Sequence, residues 1–308
     1  MSTDQIHTET RERVLYVTID RAEKHNALSL SILDTIRTTF TDAADDDTLI
    51  AVVLQGAGEK TFAAGGDLRE LAELRTAKEA ENMAGDAKAA FNAIRDCPVP
   101  VIAAMNGNAF GGGAELAVSC DFRVAAAHAR IGFVQGRLAL ATAWGGGPDL
   151  LDLVGRARGL RLLATSEMLS PAQALETGLY DTVAADSEAF SQTIEKFLEP
   201  MRKQTPQSMR AFKAVRLLGK GRVDAPRVLL RIRATAASAA AGLVEGETLG
   251  SLPFRHATAR SPIMLPTLPA RLAPPSVVPR RRPSACPVRV AAVAGPGAVR
   301  SVAPKKLD

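Results

Sequence analysis

The stretch Cys97-Pro-Val-Pro-Val-Ile-Ala-Ala-Met-Asn-Gly-Asn-Ala-Phe-Gly-Gly-Gly-Ala-Glu-Leu-Ala-Val-Ser-Cys-Asp-Phe-Arg-Val-Ala125 decides the fold class. It opens on an apolar run, Val99–Ala104, of strand length and without polar alternation. Such a run suits a strand buried on both faces, as in a parallel sheet covered by helices. A glycine-rich turn follows at Asn106–Gly113, then a short helical pattern at Ala114–Ser119 and a second strand at Phe122–Ala125. Strand, turn, helix and strand in so few residues is the rhythm of an α/β chain.

The same rhythm extends outward on both sides. Upstream, Arg13–Asp20 reads as a strand and Ile50–Gln55 as another buried one. Ser29 sits where an N-cap belongs, ahead of Leu33, Ile36 and Phe40 at helical spacing. A second glycine turn, Phe62-Ala63-Ala64-Gly65-Gly66-Asp67, precedes a helical pattern over Leu68–Arg95 whose weak spot is Gly85. Downstream, Gly145–Gly250 is mostly helical, with a strand at Thr182–Val183. The expected fold is α/β with a helical C-terminal part, and no internal repeat is visible.

Composition divides the chain near residue 252. Of its 308 residues, Met1–Leu252 carry 28 Lys and Arg against 32 Asp and Glu, whereas Pro253–Asp308 carry 10 against one. The net charge of +5 therefore belongs to the tail, which also holds 11 of the 18 prolines. The body is rich enough in apolar residues to bury a core, while the tail is not and is expected to stay disordered. No run reaches the ~18 apolar residues of a membrane span, and the polar first residues lack a secretory pattern. Cys97, Cys120 and Cys286 have neither metal-ligand nor disulfide-scaffold spacing. A soluble cytoplasmic protein with no metal is the expectation. The tail could also serve as a basic arm for nucleic acid or an anionic membrane; against nucleic acid stands the body's net charge of −4, which would not follow a phosphate backbone.

Both glycine turns follow a buried strand. Glycine lets a backbone N–H approach a ligand closely, and a turn that opens a helix presents unpaired N–H groups. Two such turns aimed at one oxygen would form an oxyanion hole; taken alone, each reads first as a tight packing turn. Neither a dinucleotide fingerprint nor a P-loop is present, and His7, His25, His128 and His256 are scattered. Glu115, one helical turn after Gly112 and surrounded by Ala114, Leu116, Ala117 and Val118, is a candidate proton-transfer group. The inert alternative is an acidic residue that interacts with a helix start.

With these residues in place, the chain resembles the crotonase superfamily, also called the enoyl-CoA hydratase/isomerase family. Cys97–Ala125 is similar to its signature, Asp20–Ser29 to its R-P-x-K-x-N-A-L entry with Ala22 for proline, Thr61–Leu68 to its first oxyanion turn, and Leu169–Val183 to its A-x-x-A-x-x-x-G-L-V-D segment. The resemblance covers about Val14 to Leu252. It implies a spiral of ββα units over residues 1–200, then a helical trimerisation region over 201–252, in a homotrimer or hexamer. It implies an acyl-CoA thioester as substrate, with coenzyme A as part of that substrate and no separate cofactor, and partners that include neither nucleic acid nor membrane. It also implies an enolate held by the N–H groups of Gly66 and Gly112, with Ala64, Gly65, Asp67 and Leu68 on the substrate and Lys24 near the coenzyme A phosphates.

Hydratases of this family pair two glutamates. Glu115 matches the first, while Gln135 falls at the second, and an amide is neither acid nor base near neutral pH. Gln135 can still orient a water or hydrogen-bond a carboxylate. The blocks Gly111–Val124, Ile131–Gly147 and Leu243–Leu252 resemble ethylmalonyl-CoA decarboxylase-like members. The primary expectation is therefore decarboxylation of an alkylmalonyl-CoA ester, with Glu115 as proton donor. The alternatives are an enoyl-CoA hydratase and a catalytically impaired acyl-CoA-binding homologue. At Leu252 the resemblance stops at once. The Pro-, Arg- and Ala-rich residues 253–308 suggest a reading-frame shift in a GC-rich gene.

Overall fold

The computed structural model describes residues 5–185, 189–219 and 221. The distal part of the expected trimerisation region, its Leu243–Leu252 block and the basic tail lie outside the described residues. Among the described residues the strands form two sheets. The larger contains β1 (Ile6–Arg11), β2 (Val14–Ile19), β3 (Ala51–Gly56), β5 (Val101–Met105), β7 (Phe122–Ala125) and β10 (Thr182–Val183), in that order. Every pairing in it is parallel except β1 with β2. The smaller contains β4 (Thr61–Ala63), β6 (Asn108–Phe110), β8 (Ile131–Gly132) and β9 (Met168–Leu169).

The two sheets explain the spiral. Each unit sends its first strand to the large sheet and its second to the small one, as in β3 then β4 and β5 then β6. A helix then returns the chain. The central strands β3 and β5 are buried on both faces, as their unbroken apolar runs require. α1 (Leu30–Asp45) starts at Ser29, whose side chain accepts the Ile32 N–H, and buries Ile32, Leu33, Ile36 and Phe40.

Three details depart from the sequence reading. The helix expected over Leu68–Arg95 is two, α2 (Leu68–Leu71) and α3 (Ala77–Asp96), and the break is not at Gly85. Thr76 sets it: its hydroxyl accepts the Glu79 N–H while the Glu79 carboxylate accepts the Thr76 N–H, a reciprocal cap that starts a new helix. The polar N-terminus supplies β1, joined to β2 through Glu12 and Arg13, both at positive φ. The glycine turns also carry short strands, β4 and β6, which pair in parallel and bring the two turns together. The C-terminal part is helical as expected, with α6 (Arg156–Thr165), α7 (Pro171–Glu176), α8 (Phe190–Arg202) and α9 (Pro206–Gly219) after the two helices at the site. Lys213 and Arg216 fasten α9 to the core through the buried carboxylate of Asp121.

Candidate active site

The β4–β6 pairing places the first glycine turn beside the N-terminus of α4 (Gly112–Ser119). Their approach needs glycine at 113, because a Cβ there would lie 1.9 Å from the Ala63 carbonyl oxygen. Leu28 brackets the first turn: its N–H donates to the Gly65 carbonyl at 2.8 Å, and its carbonyl accepts the Asp67 N–H at 3.0 Å. Between these two bonds the Gly66 N–H meets no acceptor among the described residues. Nor does the Gly112 N–H, as the first residue of a helix. Gly66 and Gly112 both border one cavity of about 310 Å³.

Glu115, on the first turn of α4, enters the same cavity and is only 2% exposed. One carboxylate oxygen accepts N–H bonds from Trp144 at 3.1 Å and Gly146 at 2.9 Å. The other accepts from the Gln135 amide at 2.9 Å. Burial pushes the Glu115 pKa up. The bonds from Gly146, Gln135 and Trp144 and the nearby charge of Arg95 oppose that without cancelling it. The result is a carboxylate with raised proton affinity beside two unpaired N–H donors. Gln135 thus stands where its motif position puts it, as a hydrogen-bond partner of Glu115. Its carbonyl oxygen Oε1 is buried and finds no donor among the described residues.

Ala64, Gly65 and Leu68 line the cavity, as expected from the first turn. Asp67 does not. Its side chain caps α2 through the Arg69 N–H and pairs with Arg21 at 2.8 Å, so it holds the turn rather than a substrate. Burial raises the Asp67 pKa, but those bonds and the Arg21 charge outweigh it and leave the carboxyl below its ordinary value. Lys24 is exposed at the end of a one-turn 3-10 helix, outside the cavity. The carbonyl of its neighbour His25 accepts the Ala64 N–H at 3.1 Å, which keeps Lys24 close to the cavity wall.

The sequence reading used Trp144 only as part of a resembling block and gave it no role in the site. Its backbone holds Glu115, and its ring covers both glycines: a Cβ on Gly112 would lie 2.4 Å from it, and one on Gly66 3.0 Å. The ring is itself fixed edge-on against Phe91 at 5.6 Å. The rest of the wall is apolar, including Leu71, Met83, Val134 and Leu140. Glu115 is the single ionisable side chain on it among the described residues.

A ββα spiral with two glycine turns and a buried carboxylate around one cavity is the architecture of the crotonase superfamily. The chain belongs to its enoyl-CoA hydratase/isomerase family, whose sequence profile matches residues 9–217. It is similar to the short-chain-enoyl-CoA hydratase of Clostridium acetobutylicum, with 35% identity over 188 residues, 61% of this chain and 72% of that protein. Among solved structures it is similar to the enoyl-CoA hydratase from Bacillus anthracis, with a TM-score of 0.68 and 29% identity, covering 79% of this chain and 92% of that one. It is also similar to an enoyl-CoA hydratase/carnithine racemase from Magnetospirillum magneticum, with a TM-score of 0.71 and 27% identity, covering 79% and 94%. The chain is thus a crotonase-superfamily lyase whose substrates are coenzyme A thioesters.

Proposed function

We propose that this protein is an enoyl-CoA hydratase that works with one carboxylate, and we prefer this reading to the decarboxylation expected above. The observation that carries it is the Glu115 environment: a buried carboxylate of raised proton affinity, beside two N–H groups that meet no acceptor among the described residues, in a cavity whose described lining holds no cation. A substrate carboxylate, as in an alkylmalonyl-CoA, would lie unpaired near Glu115, and like charges in a poorly solvated pocket are unfavourable. A neutral enoyl group suits the apolar wall. The hydratase names of the relatives support the same choice.

In this reading the thioester oxygen accepts the Gly66 and Gly112 N–H groups. A water molecule donates a hydrogen bond to Glu115, whose carboxylate is held in turn by the Gln135 amide. The water oxygen adds to C3, the double-bond electrons move to the thioester oxygen, and the enolate is held by the two N–H groups. Glu115 takes the water proton and then returns it to C2 as the carbonyl re-forms. Water has added across C2=C3 and Glu115 is again an anion, so one carboxylate serves both transfers in turn. Lys24 would meet the coenzyme A phosphates as a point cation. The assembly proposed is a homotrimer or a hexamer in the cytoplasm, testable by sedimentation.

The test is a panel of 2-enoyl-CoA esters and alkylmalonyl-CoA esters, read by mass spectrometry. The proposal expects 3-hydroxyacyl-CoA from the first class. Loss of CO₂ from the second, without hydration of the first, would reverse it.

A further inference from the structure

Behind Glu115, on the side away from the cavity, lies a buried cation that the mechanism above does not use. Arg95, in the last turn of α3, is 6% exposed. Its Nε pairs with the Asp149 carboxylate at 2.7 Å, and one terminal nitrogen donates to the Asn92 side chain at 3.1 Å. The other terminal nitrogen reaches the Trp144 carbonyl at 3.5 Å. A Cβ on Gly145 would lie only 3.1 Å from the same nitrogen, so the guanidinium packs directly against the Trp144–Gly146 turn. Asp149 belongs to the first turn of α5 (Gly146–Val154), which starts at that turn. Arg95 thus grips the turn from its carbonyl side and from the helix that follows it.

We propose that Arg95 is a positioning residue for Glu115: it fixes the turn whose two N–H groups hold the Glu115 carboxylate, and it places a positive charge behind that carboxylate. The inference rests on Glu115 being the proton-transfer group. The groups that face Glu115 are the Gln135 amide from a second 3-10 turn, Val134–Leu138, the Trp144 and Gly146 N–H groups, and the Arg95 charge from α3. Asp149 and Asn92 face Arg95 in turn. Burial raises the Glu115 proton affinity, the hydrogen bonds from Gly146, Gln135 and Trp144 oppose it most, and the Arg95 charge adds to them in the same direction. Without it the carboxylate would stay protonated to higher pH. Breaking a buried ion pair leaves an uncompensated charge, so an arginine variant alone risks unfolding. Arg95→Gln combined with Asp149→Asn removes both charges and keeps a hydrogen-bonding pair.

The experiment follows Glu115 directly, by ¹³C NMR of its side-chain carboxyl, with Glu115→Gln to assign the signal. It compares wild type, Arg95→Lys, Arg95→Gln and the Arg95→Gln/Asp149→Asn double variant. The proposal expects the Glu115 midpoint to rise by up to about one pH unit in Arg95→Gln, by less in the double variant, which also loses the Asp149 charge, and to stay near wild type in Arg95→Lys. The acid limb of hydration should move with it. A midpoint unchanged in every Arg95→Gln protein that folds would overturn the proposal and leave Arg95 as a packing residue. Because the titration needs no turnover, a wild type without hydratase activity would sink the assigned reaction while still testing Arg95.

Discussion

Replacing Glu115 by glutamine separates chemistry from structure at this site. The carboxylate accepts three hydrogen bonds, two on one oxygen from Trp144 and Gly146 and one on the other from Gln135. A glutamine keeps its oxygen on the two backbone N–H groups. Its NH₂ then faces Gln135, whose amide can turn over so that the unpartnered Oε1 accepts. The substitution keeps the side-chain volume and all three contacts of residue 115, so the fold should survive. The proton shuttle does not: general acid–base loss of ~10²–10⁴-fold in kcat corresponds to about 2.7–5.5 kcal/mol of barrier. Stability should change in a defined direction. The folded pKa of Glu115 lies above its unfolded value of about 4.3. Its contribution is therefore complete below that pH and is lost as pH rises through the folded pKa. The stability of Glu115→Gln minus that of wild type should grow from acid to neutral pH. Steady-state rates and urea midpoints across pH 4–8 (roughly the range from the unfolded carboxyl to neutrality) measure both effects. A rate within a factor of about 2 of wild type would leave Glu115 as a helix-start residue and refute the reasoning.

Gly112→Pro removes one oxyanion donor and should cost ~10²–10³ in kcat. Because any Cβ at 112 meets the Trp144 ring, the comparison is made in a Trp144→Ala background, where near-normal turnover would show that the carbonyl is held elsewhere. Gln135→Glu places a second carboxylate at the 2.9 Å contact with Glu115, so the two should titrate as a pair with one pKa strongly raised. Hydration of a short enoyl-CoA should rise or hold, with its acid limb at higher pH; complete loss in a folded protein would count against a water held at Glu115. Lys213→Met strands the buried Asp121 carboxylate, which keeps Arg216 at 2.9 Å but loses its Lys213 contact. A loss of about 3–5 kcal/mol is expected in urea unfolding, and a change below about 1 kcal/mol would show that α9 is not fastened through this pair.

Much of this site was legible because its parts are local in sequence. The runs of Val, Ile and Leu at β3 and β5 announce strands buried on both faces, and Gly112 and Glu115 fall within one turn of one helix. The first glycine turn is equally recognisable, yet one of its residues was misread. Asp67 looks like part of a ligand loop, but its role depends on Arg21, 46 positions away and in contact only once the chain is folded. Arg95 was illegible for the same reason: at the end of an amphipathic helix a lone arginine reads as solvated, and only the return of the Trp144 turn buries it. β1 escaped notice because its hairpin puts Glu12 and Arg13 at positive φ, where Asn-Gly or Asp-Gly is the usual signal. The helix break was available in Thr76-Ala-Lys-Glu79, a capping pattern overshadowed by the more conspicuous Gly85.

The central claim is that Glu115 moves the proton of one water molecule onto C2 of an enolate held by Gly66 and Gly112. Turnover of a short 2-enoyl-CoA in deuterated, oxygen-labelled water, followed by mass spectrometry and NMR of the product, tests it most directly. The account predicts a 3-hydroxyacyl-CoA with the labelled oxygen on C3 and one deuterium on C2, formed by wild type and lost in Glu115→Gln. A product with a shifted double bond and no labelled oxygen, or CO₂ release from an alkylmalonyl-CoA with no hydration, would contradict it.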